Sequence, residues 1–178
     1  MNTTKKIALL LLVVFGAFSC DEVDDLTDII VDDDFSTEIT VSVAENTDGE
    51  PESFAETAII DLASNQDVQD NLSAIEDVNI NSLTYEITNF SGSENATVTE
   101  ASINFEGTVI AVSDINLEQS DLDNTVYSIE DSSVLNDIAN TLLNGTTVTV
   151  SLSGTVDATP VTFDVVIVVD ATVTIDLI

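Results

Sequence analysis

From Val161 to Leu177 every second residue is apolar: Val161, Phe163, Val165, Ile167, Val169, Ala171, Val173, Ile175 and Leu177. So long a run at period two fits a β-strand with one buried face and is incompatible with a helix. On the other face Val166 and Val168 interrupt the Thr and Asp residues. The middle of the strand is therefore expected to be covered on both sides, and the strand to lie at the centre of its sheet. A fold built around it needs partners on both edges.

Those partners are visible as shorter alternations. Ile39, Val41 and Val43 form one, and Val148, Val150 and Leu152 another. Val78 and Ile80 begin a third, which resumes one residue out of step as Leu83, Tyr85 and Ile87. The slip predicts a β-bulge near Asn81-Ser82. Ser91-Gly92-Ser93 reads as a hairpin turn. The return strand holds Ala96, Val98, Ala101, Ile103 and Phe105, with a further strand around Val109 to Leu117. Asn46 to Pro51, containing Asp48-Gly49, is a turn. Ser53 to Ala63 fits strand or helix.

Two segments switch to helical spacing. Ser64 with Asp67 three residues on resembles a capping box, with Val68, Leu72 and Ile75 on one helical face. Asp131 or Ser132 caps a second helix whose stripe is Val134, Leu135, Ile138, Ala139, Leu142 and Leu143, ending at Asn144-Gly145. Many antiparallel strands with two short helices predict a mainly β domain, an antiparallel β-sandwich.

Charge narrows what such a domain can touch. The chain has 34 acidic residues against 2 basic ones and no His, and both bases, Lys5 and Lys6, precede all the acids. Beyond residue 6 no salt bridge to a basic side chain is available, and self-repulsion opposes folding. Screening shortens from about 8 Å at physiological salt to about 3 Å at 1 M, so saline surroundings suit the chain. Binding to nucleic acid or to an anionic membrane surface is disfavoured, because there is nothing to neutralise phosphates. Yet the chain is 44% hydrophobic and well patterned, which is the composition of a folded domain.

The first residues describe a destination. Lys5-Lys6 is followed by an unbroken apolar or small stretch from Ile7 to Phe18, closed by Ser19-Cys20. This is the layout of a secretory signal peptide. The stretch is well short of the about 20 apolar residues that span a bilayer. Ala17-Phe18-Ser19-Cys20 resembles the lipobox at which bacterial lipoprotein signal peptidase cuts before an acylated cysteine, although Ala17 stands where Leu is usual. The resemblance covers about twenty residues and implies cleavage after residue 19 and a lipid on Cys20, the chain's sole cysteine. The alternative is ordinary small-x-small cleavage, which would release a soluble protein.

Asp21 to Asp34, DEVDDLTDIIVDDD, reads as an extended, solvated tether. Asp21, Glu22, Asp24 and Asp25 are similar to the acidic stretch after the cysteine in surface-exposed lipoproteins of the Bacteroidota. That likeness implies display on the outer face of the outer membrane, with a repelling spacer on a periplasm-facing protein as the alternative. The expected organisation is a signal peptide over 1–19, a lipidated acidic tether over 20–35, and one β-rich domain over 36–178. With no second cysteine, an internal disulfide cannot form.

Few catalytic parts are present. Without His, with no Lys or Arg past residue 6, and with the one cysteine at the anchor, base-activated nucleophiles and cationic oxyanion clamps cannot be assembled. Paired carboxylates, which hydrolyse glycosides, are the remaining option, and no spacing marks a pair. No cofactor is expected, with weak calcium binding kept open because hard cations prefer oxygen ligands. Asn46-Thr47-Asp48-Gly49 fails the EF-hand pattern, since Ala44 and Ala55 fall where ligands are required. Asp121-Leu122-Asp123-Asn124 fits a calcium clasp or an ordinary polar turn. Tyr85 and Phe105 are expected in the core. The sequence thus points to a membrane-anchored, non-catalytic envelope module whose protein or glycan partner is unspecified. The alternatives are a carbohydrate-capture or adhesion accessory, poorly supplied with aromatics, and a carboxylate-based hydrolase.

Overall fold

The strand β9, Val161–Asp176, organises the domain in this computed structural model, which describes residues 28–177. Its odd-numbered residues from Val161 to Ile175 are all buried. On one edge it pairs antiparallel with β1 (Asp28–Val43), and on the other with β3 (Ile75–Gly92). With β7 (Val126–Ile129) beside β3, these make a four-stranded sheet A in the order β1-β9-β3-β7. Sheet B has the order β2-β8-β4-β5, from β2 (Glu52–Asp61), β8 (Thr147–Val156), β4 (Thr97–Phe105) and β5 (Thr108–Val112). The short β6 (Ile115–Asn116) also pairs with β4. The domain is mainly β, two antiparallel sheets around one apolar core, and the expected sandwich is found.

Inside, the two layers interlock through aromatics and a glycine. Phe54 on β2 meets Phe163 on β9 edge to face, with ring centroids 5.9 Å apart. Phe54 lies directly opposite Gly154 in register, and a Cβ on Gly154 would come within 2.7 Å of the Phe54 ring and of the Glu100 carbonyl oxygen. The glycine thus makes the space that the ring fills. Beside them, Tyr85 and Tyr127 are registered across β3 and β7 and stack at 4.9 Å.

Several expectations need correction. The tether does not extend to Asp34: β1 begins at Asp28 and stays in register with β9 from Asp28↔Asp176 onwards. Charge density concealed an alternation, since Ile29, Val31 and Phe35 face inward and Val31 and Phe35 are buried. Burying such a side chain is worth about 1.5–3 kcal/mol, enough to hold a strand against screened repulsion. Residues 28–35, read as part of the tether, therefore belong to β1. Val166 and Val168 are only half-buried, flanked in register by Glu38 and Glu86 and by Ser36 and Thr84, so full cover on both faces is not found. Leu177 lies past the end of the strand and is exposed.

The bulge near Asn81-Ser82 is present as a register shift between Ile80 and Ser82. Ser91-Gly92-Ser93 is not a hairpin turn, because β3 and β4 belong to different sheets and the turn carries the chain across the sandwich. Gly92 has φ +143°, and an added Cβ there would overlap the Pro160 carbonyl oxygen. The Ser93 N–H donates to that same oxygen at 2.8 Å.

Among the described residues there are three α-helices rather than two. α1 (Gln66–Asp70) is capped by Asn65, whose Oδ1 accepts from the N–H groups of Asp67 and Val68, and not by Ser64. It is too short for the expected stripe: Val68 is buried, Leu72 is exposed in a 3₁₀ turn, and Ile75 opens β3. α2 (Leu117–Leu122) stands partly where a polar turn was read, capped by Asn116 accepting from Gln119 N–H. α3 (Ser132–Gly145) is capped by Asp131 and buries Ile138, Ala139 and Leu142. Its left-handed terminating residue is Thr146 (φ 59°), one past Gly145. Lying between β7 and β8 in the chain, it packs on β3 of sheet A and β8 of sheet B. Among the described residues no helix is long and apolar enough to cross a membrane.

Candidate functional surfaces

Cys20, Asp21, Glu22, Asp24 and Asp25, the anchor and export residues read from the sequence, lie outside the described residues, as does the signal segment. What the structure offers is a set of surfaces, and the two outer sheet faces differ sharply.

On the outer face of sheet A, carboxylates project from each of the long strands. Asp34 and Asp170 are directly opposite each other in register, an arrangement that costs about 0.2–1 kcal/mol for like charges. Neutral donors answer them in place of cations. The bulge aims the Asn81 amide at Asp170 Oδ1 (3.0 Å) and at Thr172 Oγ1 (3.1 Å), and the Thr172 hydroxyl donates to Asp32 at 2.6 Å. Asp164 receives the Thr40 hydroxyl at 2.6 Å and the Asn89 amide at 2.8 Å. Asn89 sits at φ 55°, within the third register shift of β3, between Thr88 and Ser91. At the β1 edge the Asn65 amide donates to Asp33 at 2.6 Å. These amides were missed in the sequence. The strand irregularity at Asn81 was the signal that could have found one of them.

The outer face of sheet B carries its charge only at its two ends. One cross-strand row reads Ala55, Ser153, Ser102 and Ala111. The next reads Thr57, Ser151, Asn104 and Val109. Ile59 and Thr149 follow, with the Glu106 carboxylate accepting from Thr149 N–H at 2.9 Å and exposed Asp61 beyond Ile59, and Glu100 stands at the other end beside Thr155. Ile59 and Val109 are 59% and 57% exposed, and the Ser102 and Ser153 hydroxyls bond at 3.1 Å. The face is small in side chain and hydroxylated, with an open depression of about 430 Å³ over Gly154 lined by Glu100, Ser102, Ser153 and Thr155.

The calcium candidates are occupied by local bonding. Asp121 Oδ2 accepts from Phe90 N–H at 3.2 Å, tying α2 to β3, and Asp123 Oδ2 accepts from the Gln119 amide at 2.6 Å. In the Asn46–Gly49 turn, Asn46 Oδ1 accepts from Asp48 N–H while its amide reaches Glu52. Among the described residues no three His, Cys, Asp or Glu side chains are grouped to hold a metal.

The aromatic residues belong to the interior. Phe105 is buried, and Tyr85 is buried against Tyr127, whose hydroxyl donates to the buried Ser120 at 3.2 Å. Burial, reinforced by the neighbouring Tyr127, pushes the Tyr85 phenol up to about 12. A cavity of about 20 Å³ between the sheets is lined by apolar side chains such as Phe54, Ile103 and Phe163, together with Tyr85. That is room for about one water without the polar partners a water needs. A shallow depression of about 330 Å³ at Ser73–Glu76 and Asp176 brings two carboxylates to one rim. It is open to solvent and gives a sugar ring no enclosing walls. No family model matches the chain, and neither a curated protein nor a solved structure matches it.

Proposed function

We propose that the protein is a lipid-anchored, non-catalytic module of the bacterial cell envelope, held at the outer membrane through Cys20 and displayed on its outer face. It serves as a binding or structural domain rather than an enzyme. The observation that carries the reading is the signal segment ending at the sole cysteine, with the first strand beginning at Asp28, eight positions later. That interval can reach about 28 Å when fully extended, so the lipid would hold the sandwich close to the bilayer. Membrane attachment comes from the lipid alone, since the domain's charge is repelled by anionic headgroups.

Cys20→Ala tests the reading. The variant is expected to lose metabolic labelling by fatty acid and to leave the detergent phase for the aqueous phase in Triton partition. Retention of label, or unchanged partition, overturns the anchor. Surface display is read separately by protease accessibility on intact cells. The protease must cut beside acids or apolar residues, because a chain processed at Cys20 offers trypsin no site.

A further inference from the structure

We propose that Asp48 is a site of spontaneous covalent modification, where the chain converts aspartate to isoaspartate through a cyclic imide with Gly49. The Gly49 nitrogen attacks the side-chain carboxyl carbon of Asp48, its proton and the carboxyl hydroxyl leave as water, and a five-membered imide closes. Water then reopens one of the two carbonyl–nitrogen bonds. Opening on the side-chain carbonyl restores aspartate. Opening on the main-chain carbonyl leaves the backbone running through the side chain, one methylene longer, with a free α-carboxyl. Nothing is oxidised or reduced, and the net mass does not change.

The reaction needs a free nitrogen, room for the ring and a backbone that is not held in a helix or strand. Asp48 and Gly49 are exposed in the irregular connection between β1 and β2. Hydrogen bonds brace the residues on either side: Asp48 N–H donates to Asn46 Oδ1 at 2.8 Å, and the Asn46 amide donates to the Glu50 carbonyl at 3.2 Å. Between them, the Gly49 N–H donates to no other described residue. No described atom beyond its chain neighbours lies within 4 Å of the point where a Cβ on Gly49 would stand, so the ring closes into open space.

Asn144-Gly145 shows what the fold withholds. An asparagine before glycine closes the same imide, with ammonia as the leaving group, and in an unfolded chain it is the faster of the two pairs. Here both residues belong to α3, whose ladder engages the Gly145 nitrogen, and the Asn144 amide donates to the Asn140 carbonyl at 2.7 Å. The last turn must open before the ring can form.

The test compares each site with itself. The full chain, purified in non-ionic detergent, is incubated for weeks at neutral pH in native buffer and in urea beyond its unfolding transition. Peptic peptides are then read by electron-transfer fragmentation, which distinguishes the two linkages, and an isoaspartyl carboxyl methyltransferase counts the product independently. Isoaspartate at Asp48 is expected to form in the native protein within about fivefold of its rate in urea, whereas conversion of Asn144 slows on folding by about tenfold or more. Asp48→Asn, which puts the same chemistry in the turn as in the helix, is expected to convert about tenfold faster than Asn144 of the same native molecule. A thermal melt establishes that this variant is folded. Greater slowing at Asp48 overturns the proposal, as does equal slowing at the two sites, or an Asp48→Asn chain that converts no faster in its turn than at Asn144.

Discussion

The two outer faces of this sandwich solve the same problem in opposite ways. Both belong to a chain of formal charge −32, and both cover the same apolar interior. Face A keeps its carboxylates and surrounds them with amides and hydroxyls from Asn81, Asn89, Thr40 and Thr172. Face B excludes carboxylates from its centre and uses Ser, Thr and Ala instead. The contrast teaches that an acidic protein lacking cations in its folded domain need not be uniformly acidic. Charge can be sorted by face, with one sheet carrying carboxylates across its middle and the other only at its ends.

The widest disturbance is one that both faces share. Phe163 is buried and its ring abuts Phe54 in the opposing sheet, so Phe163→Ala is expected to cost about 3–5 kcal/mol. Urea titration should show the loss as a lowered midpoint. A loss under 1 kcal/mol would mean that the layers are not coupled through this pair, and the faces could then be perturbed one at a time.

A smaller effect separates the faces. Asn81→Ala removes the amide from Asp170 and from the Thr172 relay, and is expected to cost about 1 kcal/mol. The cost should be greatest at low ionic strength, where nothing else screens Asp34 from Asp170. Ser102→Ala on face B deletes a bond between two hydroxyls and should cost a few tenths of that, independent of salt. Parallel salt series of thermal melts decide the matter: equal slopes for the two variants would erase the distinction drawn between the faces.

The remaining effect, confined to one helix terminus, comes from a carboxylate on neither face. Asp131 is held below the ordinary carboxylate range by the Ser133 hydroxyl, then by the Ser133 and Val134 N–H groups at the start of α3. A depressed folded-state value means that its stabilisation is fully present above the unfolded-state pKa and disappears as pH falls through the folded-state one. Asp131→Ala should therefore lower the melting temperature at neutral pH and converge with the parent in acid. A gap that persists at the lowest pH would assign the loss to helix propensity rather than to the cap.

Much of the interior was legible because burial is periodic. The odd residues of β9, the bulge beside Asn81 and the stripe of α3 could all be read from spacing alone. Surface charge misled where it overlay that periodicity: Asp32 to Asp34 disguised the inward row of Ile29, Val31 and Phe35. Sheet membership was not legible either, because Ser91-Gly92-Ser93 has the residues of a hairpin, whereas in the structure Gly92 packs against Pro160 and the chain passes to the other sheet. Face B was invisible for a related reason. Its neutrality belongs to no segment of sequence and emerges only when β2, β8, β4 and β5 are set side by side.

The full-length pairing of β1 with β9 also has a mechanical meaning. The two strands stay in register from Asp28↔Asp176 to Val43↔Val161, and Asp28 is the end of β1 nearer to Cys20. Tension between an anchor at that cysteine and a load at the opposite end of the sandwich runs along β1. Antiparallel hydrogen bonds lie perpendicular to the strands, so this pull shears the ladder and loads its bonds together rather than peeling them one after another. The strand beside the acidic leader is thus placed to act as a grip, resisting extraction of the domain while its anchor holds.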